Sequence, residues 1–388
     1  MSAGTHTGAA VPRVQGLPAG VHTVADHEAH ARCVLDAGTT WAYFSGGAGD
    51  EITLRANVAA WQALGLLPRV LRSVAGGHTR CQLLGRTLAH PLIVAPMAYQ
   101  RLAHADGEIA SAMAASAQGA GFVLSTQASV PLEDVSRAVR HDPGRGPLWF
   151  QLYFQRERAA TLALVQRAEA AGYEALVLTV DAPVHGARDA ERRAGFCLPP
   201  GIGAMDPATA PSRVPVGAGL SPVFDDLMAS APTWADVAWL QGATGLPVIL
   251  KGVLHPDDAR QAQRMNLAAL IVSNHGGRML DTAPATARML PRIAEALAGG
   301  TPLLVDGGIR RGTDVLKAIA LGASAVLVGR PCLWGLATAG AVGVAHVLRL
   351  LRDELEIAMA LCGIGRLAEA PGALLLPGGA DGLKDLTP

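Results

Sequence analysis

Eight short apolar segments, each followed by a helical pattern, limit the possible fold of this chain most strongly. They are rich in leucine and β-branched residues, and continuous apolar runs of this kind predict parallel strands that are buried on both faces. Eight strand–helix units are also the number that closes a (β/α)8 barrel. The segments lie at residues 92–99, 121–126, 148–153, 175–182, 247–253, 269–276, 302–309 and 325–330.

An open, doubly wound sheet is the main alternative to a barrel. It is disfavoured because no Gly-x-Gly-x-x-Gly motif follows the first strand. We therefore predict an α/β fold, a (β/α)8 TIM barrel with an N-terminal helical extension. The extension is one helical stretch at about 24–42, followed by a glycine-rich loop that starts at Tyr43.

The predicted organisation is a single domain with one long loop. The barrel domain spans 21–368, between a flexible tail at 1–20 and a C-terminal tail at 369–388. About 64 residues rich in proline, glycine and alanine separate the fourth and fifth strands. Loops this long are usually lids, partner contacts or disordered segments, so we predict a lid loop at about 183–232.

The composition argues against several classes of partner. The chain carries 32 basic and 32 acidic side chains among 388 residues, and this balance argues against nucleic acid. The N-terminus lacks the apolar core of a signal peptide, and no uninterrupted apolar stretch is long enough to span a membrane. The five cysteines are widely spaced without a Cys-x-x-Cys pair. This cysteine pattern argues against a disulfide framework and against a structural metal site, and it indicates a reducing cytoplasm.

Polar residues follow every predicted strand at its carboxyl end, which is where such barrels carry their chemistry. A purely structural barrel would need turn residues at this rim. It would not need a base, an acid, an amide, a phenol and several cations together. The residues at these strand ends are Pro96 to Tyr99, Ser125 to Gln127, Gln151, Tyr153, Thr179, Asp181, Lys251, Ser273, His275, Arg278, Asp306 to Arg310, Gly329 and Arg330.

The ends of the seventh and eighth strands predict a phosphate site. The sequences "DGGIRRG" and "VGR" place glycine N–H groups and arginines there. Backbone N–H groups at a helix N-terminus point at an anion, and arginine can clamp it. The Asp-Gly-Gly sequence alone is equally compatible with a tight turn, but the two loops together favour phosphate.

Five segments at the strand ends are distinctive: "SNHGGRMLD", "LTVDAP", "FQLY", "LKGV" and "DGGIRRGTDVLKAIALGASAVLVGRP". They resemble the FMN-dependent L-2-hydroxy acid oxidase and dehydrogenase family, which includes glycolate oxidase, lactate oxidase and (hydroxy)mandelate enzymes. The similarity runs from about residue 24 to about 368. The His-Gly-Gly-Arg block is specific, whereas Asp-Gly-Gly also occurs in other phosphate-binding barrels such as IMP dehydrogenase. No cysteine is placed as that enzyme's nucleophile requires.

The resemblance implies three catalytic residues. His275 would be the active-site base, Asp181 would pair with it, and Tyr153 would bond the hydroxyl or ketone of the substrate. Histidine titrates near neutrality and can accept a hydroxyl proton, and a neighbouring carboxylate stabilises the imidazolium. Alone, His275 would more simply be read as a rim histidine; Arg278 and Asp181 favour catalysis. These residues fit hydrogen loss from carbon either as hydride or after carbanion formation.

The resemblance also implies a site for the substrate carboxylate. Arg278, Arg188 and Tyr43 would hold it, with Tyr153 close by. Two guanidinium groups match a carboxylate bidentately. Two alternatives stay open: Arg188 could be a solvated charge among "RDAERR", and Tyr43 could be a packing residue.

The implied cofactor is FMN. Lys251 would lie beside the N1/C2-oxygen edge of the flavin and favour its anionic reduced form. The implied contacts to the isoalloxazine are Pro96, Met97, Ala98, Ser125, Gln151, Thr179 and Ser273. The implied contacts to the ribityl phosphate are Asp306, Gly307, Gly308, Arg310, Gly329 and Arg330.

The remaining expectations concern the substrate, the electron acceptor and assembly. Gln127 stands where glycolate oxidases usually carry a bulky aromatic, and "APMAYQ" looks more like hydroxymandelate oxidases, so aryl or larger 2-hydroxy acids and lactate are all plausible. Ala98 resembles the oxidases and favours O2 as acceptor. A dehydrogenase that uses a quinone or another acceptor, and a non-redox barrel that binds a phosphorylated ligand, are the alternatives. The resemblance implies a homotetramer.

Overall fold

A closed barrel is the central structural element of the chain. The computed structural model describes residues 16–35, 39–204, 219–370 and 372–377. Eight parallel strands form the barrel, each paired with the next along the chain and the last with the first. The predicted (β/α)8 fold is therefore confirmed. In chain order, the strands are β1 (Leu64–Leu66), β2 (Cys81–Leu83), β3 (Arg86–Leu88), β4 (Leu92–Val94), β5 (Gly121–Leu124), β6 (Leu148–Leu152), β7 (Leu176–Thr179), β8 (Val248–Val253), β9 (Ala269–Val272), β10 (Leu303–Val305), β11 (Ala325–Val328) and β12 (Leu375–Pro377), of which β4 to β11 form the barrel.

Helices cover the outside of the barrel and connect its strands. In chain order, they are α1 (Val24–Val34), α2 (Thr40–Ser45), α3 (Ile52–Gln62), α4 (Gly107–Gln118), α5 (Leu132–Val139), α6 (Arg158–Ala171), α7 (Asp189–Ala194), α8 (Trp234–Ala243), α9 (Pro256–Arg264), α10 (Thr286–Leu297), α11 (Gly312–Ala320) and α12 (Arg330–Leu361).

Alternate strand residues fill the barrel interior, as the two-residue period of a strand requires. Every barrel strand contributes to one buried interior cluster, for example through Ile93 and Trp149. The hairpin of β2 and β3 adds Leu83 and Leu88 to this cluster. Because Arg86 of the hairpin pairs over 2.8 Å with a carboxylate that precedes β7, the hairpin covers the amino end of the barrel. The opposite end is left for polar residues.

The N-terminal extension differs from the prediction. The stretch expected as one helix at about 24–42 contains α1 and the start of α2, and α1 ends where Leu35 turns extended at φ −77° and ψ 143°. The sequence continues with Asp36 and Gly38, which are poor helix formers. Tyr43, expected at the start of a loop, lies within α2. The prediction of one helix followed by a loop from Tyr43 was therefore wrong.

Helix α12 is long and apolar enough to cross a membrane by length and composition. It was not predicted as such a segment because Thr338 and His346 interrupt its apolar residues. However, 72% of its most apolar 18-residue stretch is buried inside the protein, where the helix packs against α1, α4 and α11. Its backbone leaves the helical conformation at Ala339 and Gly340. Its burial therefore marks α12 as a core helix on the flank of the barrel.

The predicted lid loop and C-terminal tail both contain regular structure. The described part of the lid region carries α7 and a π-helical turn at Pro222–Leu227, whereas 205–218 lie outside the described residues. In the tail region, β12 pairs antiparallel with β1, with Gly65 opposite Leu376. The strand β12 thus joins the C-terminal region to the segment that follows α3.

Candidate active site

The chain leaves β9 in a strained turn that carries His275. Residues His275–Gly277 form a 3-10 turn in which His275 itself has a φ of 56°. Residues other than glycine rarely adopt this left-handed conformation, which costs of order 1 kcal/mol. Gly277 follows at φ 77°, and a Cβ there would lie 2.6 Å from the backbone nitrogen of Leu54. Helix α3 approaches the turn so closely that only glycine fits.

Two buried asparagines fix this turn to α3. The amide of Asn57 donates to Oδ1 of Asn274, and the amide of Asn274 donates to Oδ1 of Asn57, both over 2.8 Å. Oδ1 of Asn274 also accepts from the N–H of Gly277, and Oδ1 of Asn57 accepts from the N–H of Thr286, each over 3.2 Å. Neither Asn57 nor Asn274 was among the predicted site residues. An element outside the barrel therefore positions the predicted base.

His275 is paired with Asp181, as predicted. Nδ1 of His275 lies 2.9 Å from Oδ1 of Asp181. Burial lowers the pKa of His275 below its usual value, and Asp181 offsets only part of this effect. Burial would raise the pKa of Asp181, but His275 and Lys251 outweigh it and hold that pKa below the usual value. The result is a neutral imidazole beside a carboxylate, which suits a base whose conjugate acid needs stabilisation.

Lys251 is buried between two carboxylates. Its Nζ lies 3.2 Å from Oδ2 of Asp306 and donates to Oγ of Ser273 over 2.9 Å. Burial would lower the pKa of Lys251, but Asp306 and Asp181 raise it above the usual value. Oγ of Ser273 also accepts from the backbone N–H of His275 over 3.1 Å. The lysine is thus a fixed positive charge next to the turn that carries the base.

Arg278 is held by three acceptors near the mouth of the barrel. Its Nη1 donates to the carbonyls of Tyr43 over 2.7 Å and Gly46 over 3.0 Å. Its Nη2 donates to Oε1 of Glu191 over 2.8 Å. Burial lowers the pKa of Arg278, and the nearby Arg188 lowers it further. Two like charges held this close favour a bound anion.

Helix α7 brings Arg188 to the same place. Arg188 is the residue before the helix, and its Nη1 lies 3.5 Å from Oε1 of Glu191. Its Nε is buried without a hydrogen-bond partner among the described residues. At the other end of α7, Phe196 stacks on Tyr43 with ring centroids 4.5 Å apart. Glu191 and Phe196 were not among the predicted site residues, although Glu191 follows Arg188 by three residues, a spacing that brings side chains together on a helix.

The predicted phenols line the same cavity. Burial raises the pKa of both Tyr43 and Tyr153, so each hydroxyl keeps its proton and can donate. The guanidinium carbon of Arg278 lies 5.2 Å from the centroid of the Tyr43 ring, a cation–π distance. These contacts place Tyr43 beside the arginines, as its predicted role requires, rather than in a distant packing position.

The predicted isoalloxazine contacts include unused hydrogen-bonding groups. Oε1 of Gln151 accepts from Oγ of Ser125 over 3.2 Å and from the N–H of Thr126 over 3.1 Å. Nε2 of Gln151 and Oγ1 of Thr179 are buried without a partner in the described residues. Leaving such groups unpaired is costly, and the heteroatoms of a flavin ring would satisfy them.

The loops after β10 and β11 carry the residues that are predicted to hold phosphate. Gly307 and Gly308 have φ values of 89° and 87°, and a Cβ on Gly308 would lie 2.3 Å from the carbonyl oxygen of Asn57. The guanidinium of Arg330 is buried, and its three hydrogen bonds within the described residues go to backbone carbonyls. Arg310 stacks over Trp334 at 4.7 Å. Burial lowers the pKa of Arg330, and Arg278 and Arg310 lower it further, so a phosphate fits here.

The structure brings the predicted site residues together. A cavity of about 420 Å³ at the carboxyl end of the barrel is lined by all of them except Asp181 and Ser273, which support His275 and Lys251 from behind. The predicted residues that line it are Tyr43, Pro96, Met97, Ala98, Ser125, Gln151, Tyr153, Thr179, Arg188, Lys251, His275, Arg278, Asp306, Gly307, Gly308, Arg310, Gly329 and Arg330.

A parallel barrel that gathers a histidine–carboxylate pair, two arginines and glycine-rich loops at one mouth fits the class of flavin-dependent enzymes that act on hydroxy acids. The chain belongs to the FMN-dependent dehydrogenase family, whose sequence profile matches residues 31–376. An L-lactate oxidase of Alicycliphilus denitrificans is 50% identical over 363 residues, which cover 93% of this chain and 98% of that protein. A 4-hydroxymandelate oxidase of Amycolatopsis orientalis is 46% identical over 345 residues, covering 88% and 94% respectively.

Solved structures agree with this assignment. A mandelate oxidase variant that was solved with an FMN adduct has a TM-score of 0.80 and 42% identity to this chain, covering 90% of it and 98% of that chain. The same nucleotide fits this site. Its ring would satisfy the amide of Gln151 and the hydroxyl of Thr179, which lack partners among the described residues, and its phosphate would lie near the buried Arg330. The cofactor of this chain is FMN.

Proposed function

We propose that the protein oxidises an L-2-hydroxy acid to the 2-oxo acid and passes the electrons to O2, which gives H2O2. Bound FMN supplies the two-electron chemistry. The observation that carries the proposal is the cavity in which a neutral His275, paired with Asp181, faces Arg188 and Arg278. A base beside two cations matches a substrate that is a carboxylate with an adjacent hydroxyl.

The arginines bind and orient the substrate. A planar guanidinium can donate two parallel hydrogen bonds to a carboxylate. Arg278 is already held by Tyr43, Gly46 and Glu191, so little of its rotational freedom remains to be lost on binding. Fixing the carboxylate fixes the neighbouring carbon and its hydroxyl relative to His275.

His275 takes the proton of the substrate hydroxyl. Oxidation of the alcohol carbon removes two electrons and two protons. The hydroxyl proton goes to Nε2 of His275, and the hydrogen on the carbon leaves with the electron pair, which FMN would accept. Asp181 at Nδ1 fixes the tautomer and stabilises the resulting imidazolium. The protonated hydroxyl of Tyr153 can donate to the same substrate oxygen as it becomes a carbonyl.

L-Lactate and L-mandelate are the first substrates to test. A lactate oxidase and a hydroxymandelate oxidase are both related to this chain. Gln127 and Met97 lie on the cavity wall. Because neither is a bulky aromatic residue, the cavity keeps space for a substrate side chain larger than a methyl group. We propose that the site accepts side chains from methyl to aryl.

The experiment is anaerobic reduction of the flavin-loaded protein. Under argon, L-lactate or L-mandelate should bleach the flavin absorption, and D-lactate serves as the control. Admission of air should restore the colour with one H2O2 for each oxo acid formed. Slow recovery in air but fast recovery with a quinone would favour a dehydrogenase. Absence of bleaching by any L-2-hydroxy acid would favour a barrel that only binds a phosphorylated ligand.

We further propose a cytoplasmic location and a homotetrameric assembly. All five cysteines are free thiols, which supports a reducing compartment. The tetramer is carried by resemblance to the family. Light scattering of the purified protein tests the assembly, and a mass other than that of four chains would contradict it.

A further inference from the structure

Glu191 is a carboxylate that contacts both substrate-binding arginines. Its Oε1 accepts from Nη2 of Arg278 over 2.8 Å and lies 3.5 Å from Nη1 of Arg188. Only 15% of its side chain is exposed. Glu191 does not line the cavity, whereas both arginines do. It therefore acts from behind the guanidinium groups and does not occupy the place of the substrate.

The formal charges of this cluster have a chemical consequence. Arg188 and Arg278 contribute two positive charges and Glu191 contributes one negative charge. The cluster therefore has a net charge of +1, which one carboxylate neutralises. Among the other charged groups at this cavity, Lys251 pairs with Asp306, His275 with Asp181 and Arg156 with Asp226. Arg310 and Arg330 lie at the loops predicted to hold phosphate.

We propose that Glu191 is a specificity-determining residue that matches the site to monocarboxylates and positions Arg278. This inference rests on the proposed function, since it concerns the substrate carboxylate of that reaction. With the negative charge in place, a second carboxylate on a ligand gains little from the arginines. Without it, the site would carry +2 and would favour dianions.

Helix α7 makes Glu191 suitable for this role. Arg188 and Glu191 lie three residues apart, one before the helix and one within it, so both reach the same side. The stack of Phe196 on Tyr43 at 4.5 Å fixes the other end of the helix. Removal of the charge by an isosteric amide should therefore leave α7 in place and change mainly the electrostatics.

The test uses two ligands of nearly equal shape that differ by one charge. Oxamate is a monoanion and oxalate is a dianion, and neither can reduce the flavin. Their dissociation constants are measured from the shift of the flavin absorption spectrum in the FMN-loaded protein. A unit charge at about 10 Å, in a medium with an effective dielectric constant of about 20, changes a binding constant roughly tenfold. Glu191→Gln should therefore raise the preference for oxalate over oxamate by up to about tenfold.

Glu174 offers a matched control. It also contacts two arginines, Arg86 over 2.8 Å and Arg145, but at the amino end of the barrel. Glu174→Gln should leave the ratio of the two dissociation constants unchanged. Glu191→Asp keeps the charge, so its ratio should stay near that of the original protein even if both affinities fall.

Three outcomes overturn the inference. The preference for oxalate over oxamate could stay unchanged in Glu191→Gln. It could also rise in Glu174→Gln, or in Glu191→Asp, by as much as it does in Glu191→Gln. If Glu191→Gln does not fold, Glu191→Ala also removes the charge and must raise the ratio. Normal bleaching by L-2-hydroxy acids with an unchanged ratio would remove only the role of Glu191. Absence of bleaching, together with no response to either anion, would remove the proposed function as well.

Discussion

The side-chain amides of Asn57 and Asn274 donate to each other over 2.8 Å and join helix α3 to the turn that carries His275. The same helix also contacts the phosphate loop, because Nε1 of Trp61 donates to the carbonyl of Gly307 over 2.8 Å. One element outside the barrel therefore positions both the base and the loop predicted to hold the FMN phosphate.

Asn57→Ala should weaken folding and FMN binding together. The change leaves the buried amide of Asn274 and the N–H of Thr286 short of an acceptor, which should lower the free energy of unfolding by about 2–3 kcal/mol. Urea denaturation and the dissociation constant of FMN measure the two effects. Gln166→Ala, at an exposed position of α6, is the control. Unchanged FMN affinity in Asn57→Ala would contradict the coupling of the two loops.

His275→Gln should retain FMN but reduce it slowly. Glutamine can keep a hydrogen bond to Asp181 but cannot accept the hydroxyl proton, so the rate should fall about 10²–10⁴-fold. Stopped-flow absorbance under argon gives the rate of reduction, and flavin fluorescence gives FMN binding. A variant that is reduced at the normal rate would rule out His275 as the base.

Asp181→Asn should lower both the rate and the pKa that governs it. His275 must be neutral to act, so reduction should rise with pH through its pKa, which burial places below the usual 6.5. Because Asp181 raises that pKa, its removal should move the acidic limb of the pH–rate profile to still lower pH. The rate on the plateau should fall because the imidazolium loses its partner. An acidic limb that moves to higher pH would contradict this pairing.

Arg278→Lys should weaken substrate binding more than the chemical step. A lysine is a point charge and cannot reproduce the contacts to Tyr43, Gly46 and Glu191, so we expect the half-saturating substrate concentration to rise by at least about tenfold. Arg192→Lys is the matched control, since Arg192 is exposed on α7 and pairs with Asp189. Equal effects of the two variants would argue against a direct contact of Arg278 with the carboxylate.

His27 should make the fold sensitive to acid. It is fully buried, and its Nε2 lies 2.9 Å from Nδ1 of His346 across the contact of α1 with α12. Burial and then His346 lower the pKa of His27 from 6.5 to about 4. The unfolded chain therefore takes up the proton first as the pH falls below 6.5, and stability is lost down to about pH 4. The loss attributable to His27 should be about 2 kcal/mol between pH 7 and pH 5.

The measurement is urea denaturation at these two pH values. His27→Gln should reduce the pH dependence of the free energy of unfolding. His141→Gln, at an exposed position, should not. If His27→Gln keeps the full pH dependence, other groups dominate the acid sensitivity.

The sequence was sufficient to predict which rim residues meet. In a parallel barrel, all carboxyl strand ends lie at one mouth, so Asp181 and His275 could be placed at the same rim although they follow β7 and β9. Their pairing was implied by the family resemblance. Asn57 and Glu191 could not be found in this way. Their roles depend on where α3 and α7 pack, and those positions follow from loop conformations such as the left-handed His275, which no strand pattern specifies. The break between α1 and α2 was missed for a related reason, since helical periodicity does not locate helix ends reliably.

Arg330 lies where three segments of the chain meet. Its guanidinium donates to the carbonyls of Phe44, Gly46 and Gly276, so one side chain links the end of α2, the loop after it and the turn of the base. Its charge and that of Arg310 repel each other, and a bound phosphate would offset this repulsion. A bound nucleotide should therefore stabilise the folded chain as well as supply its redox chemistry. The concentration of FMN would then set the resistance of the protein to unfolding in addition to its activity.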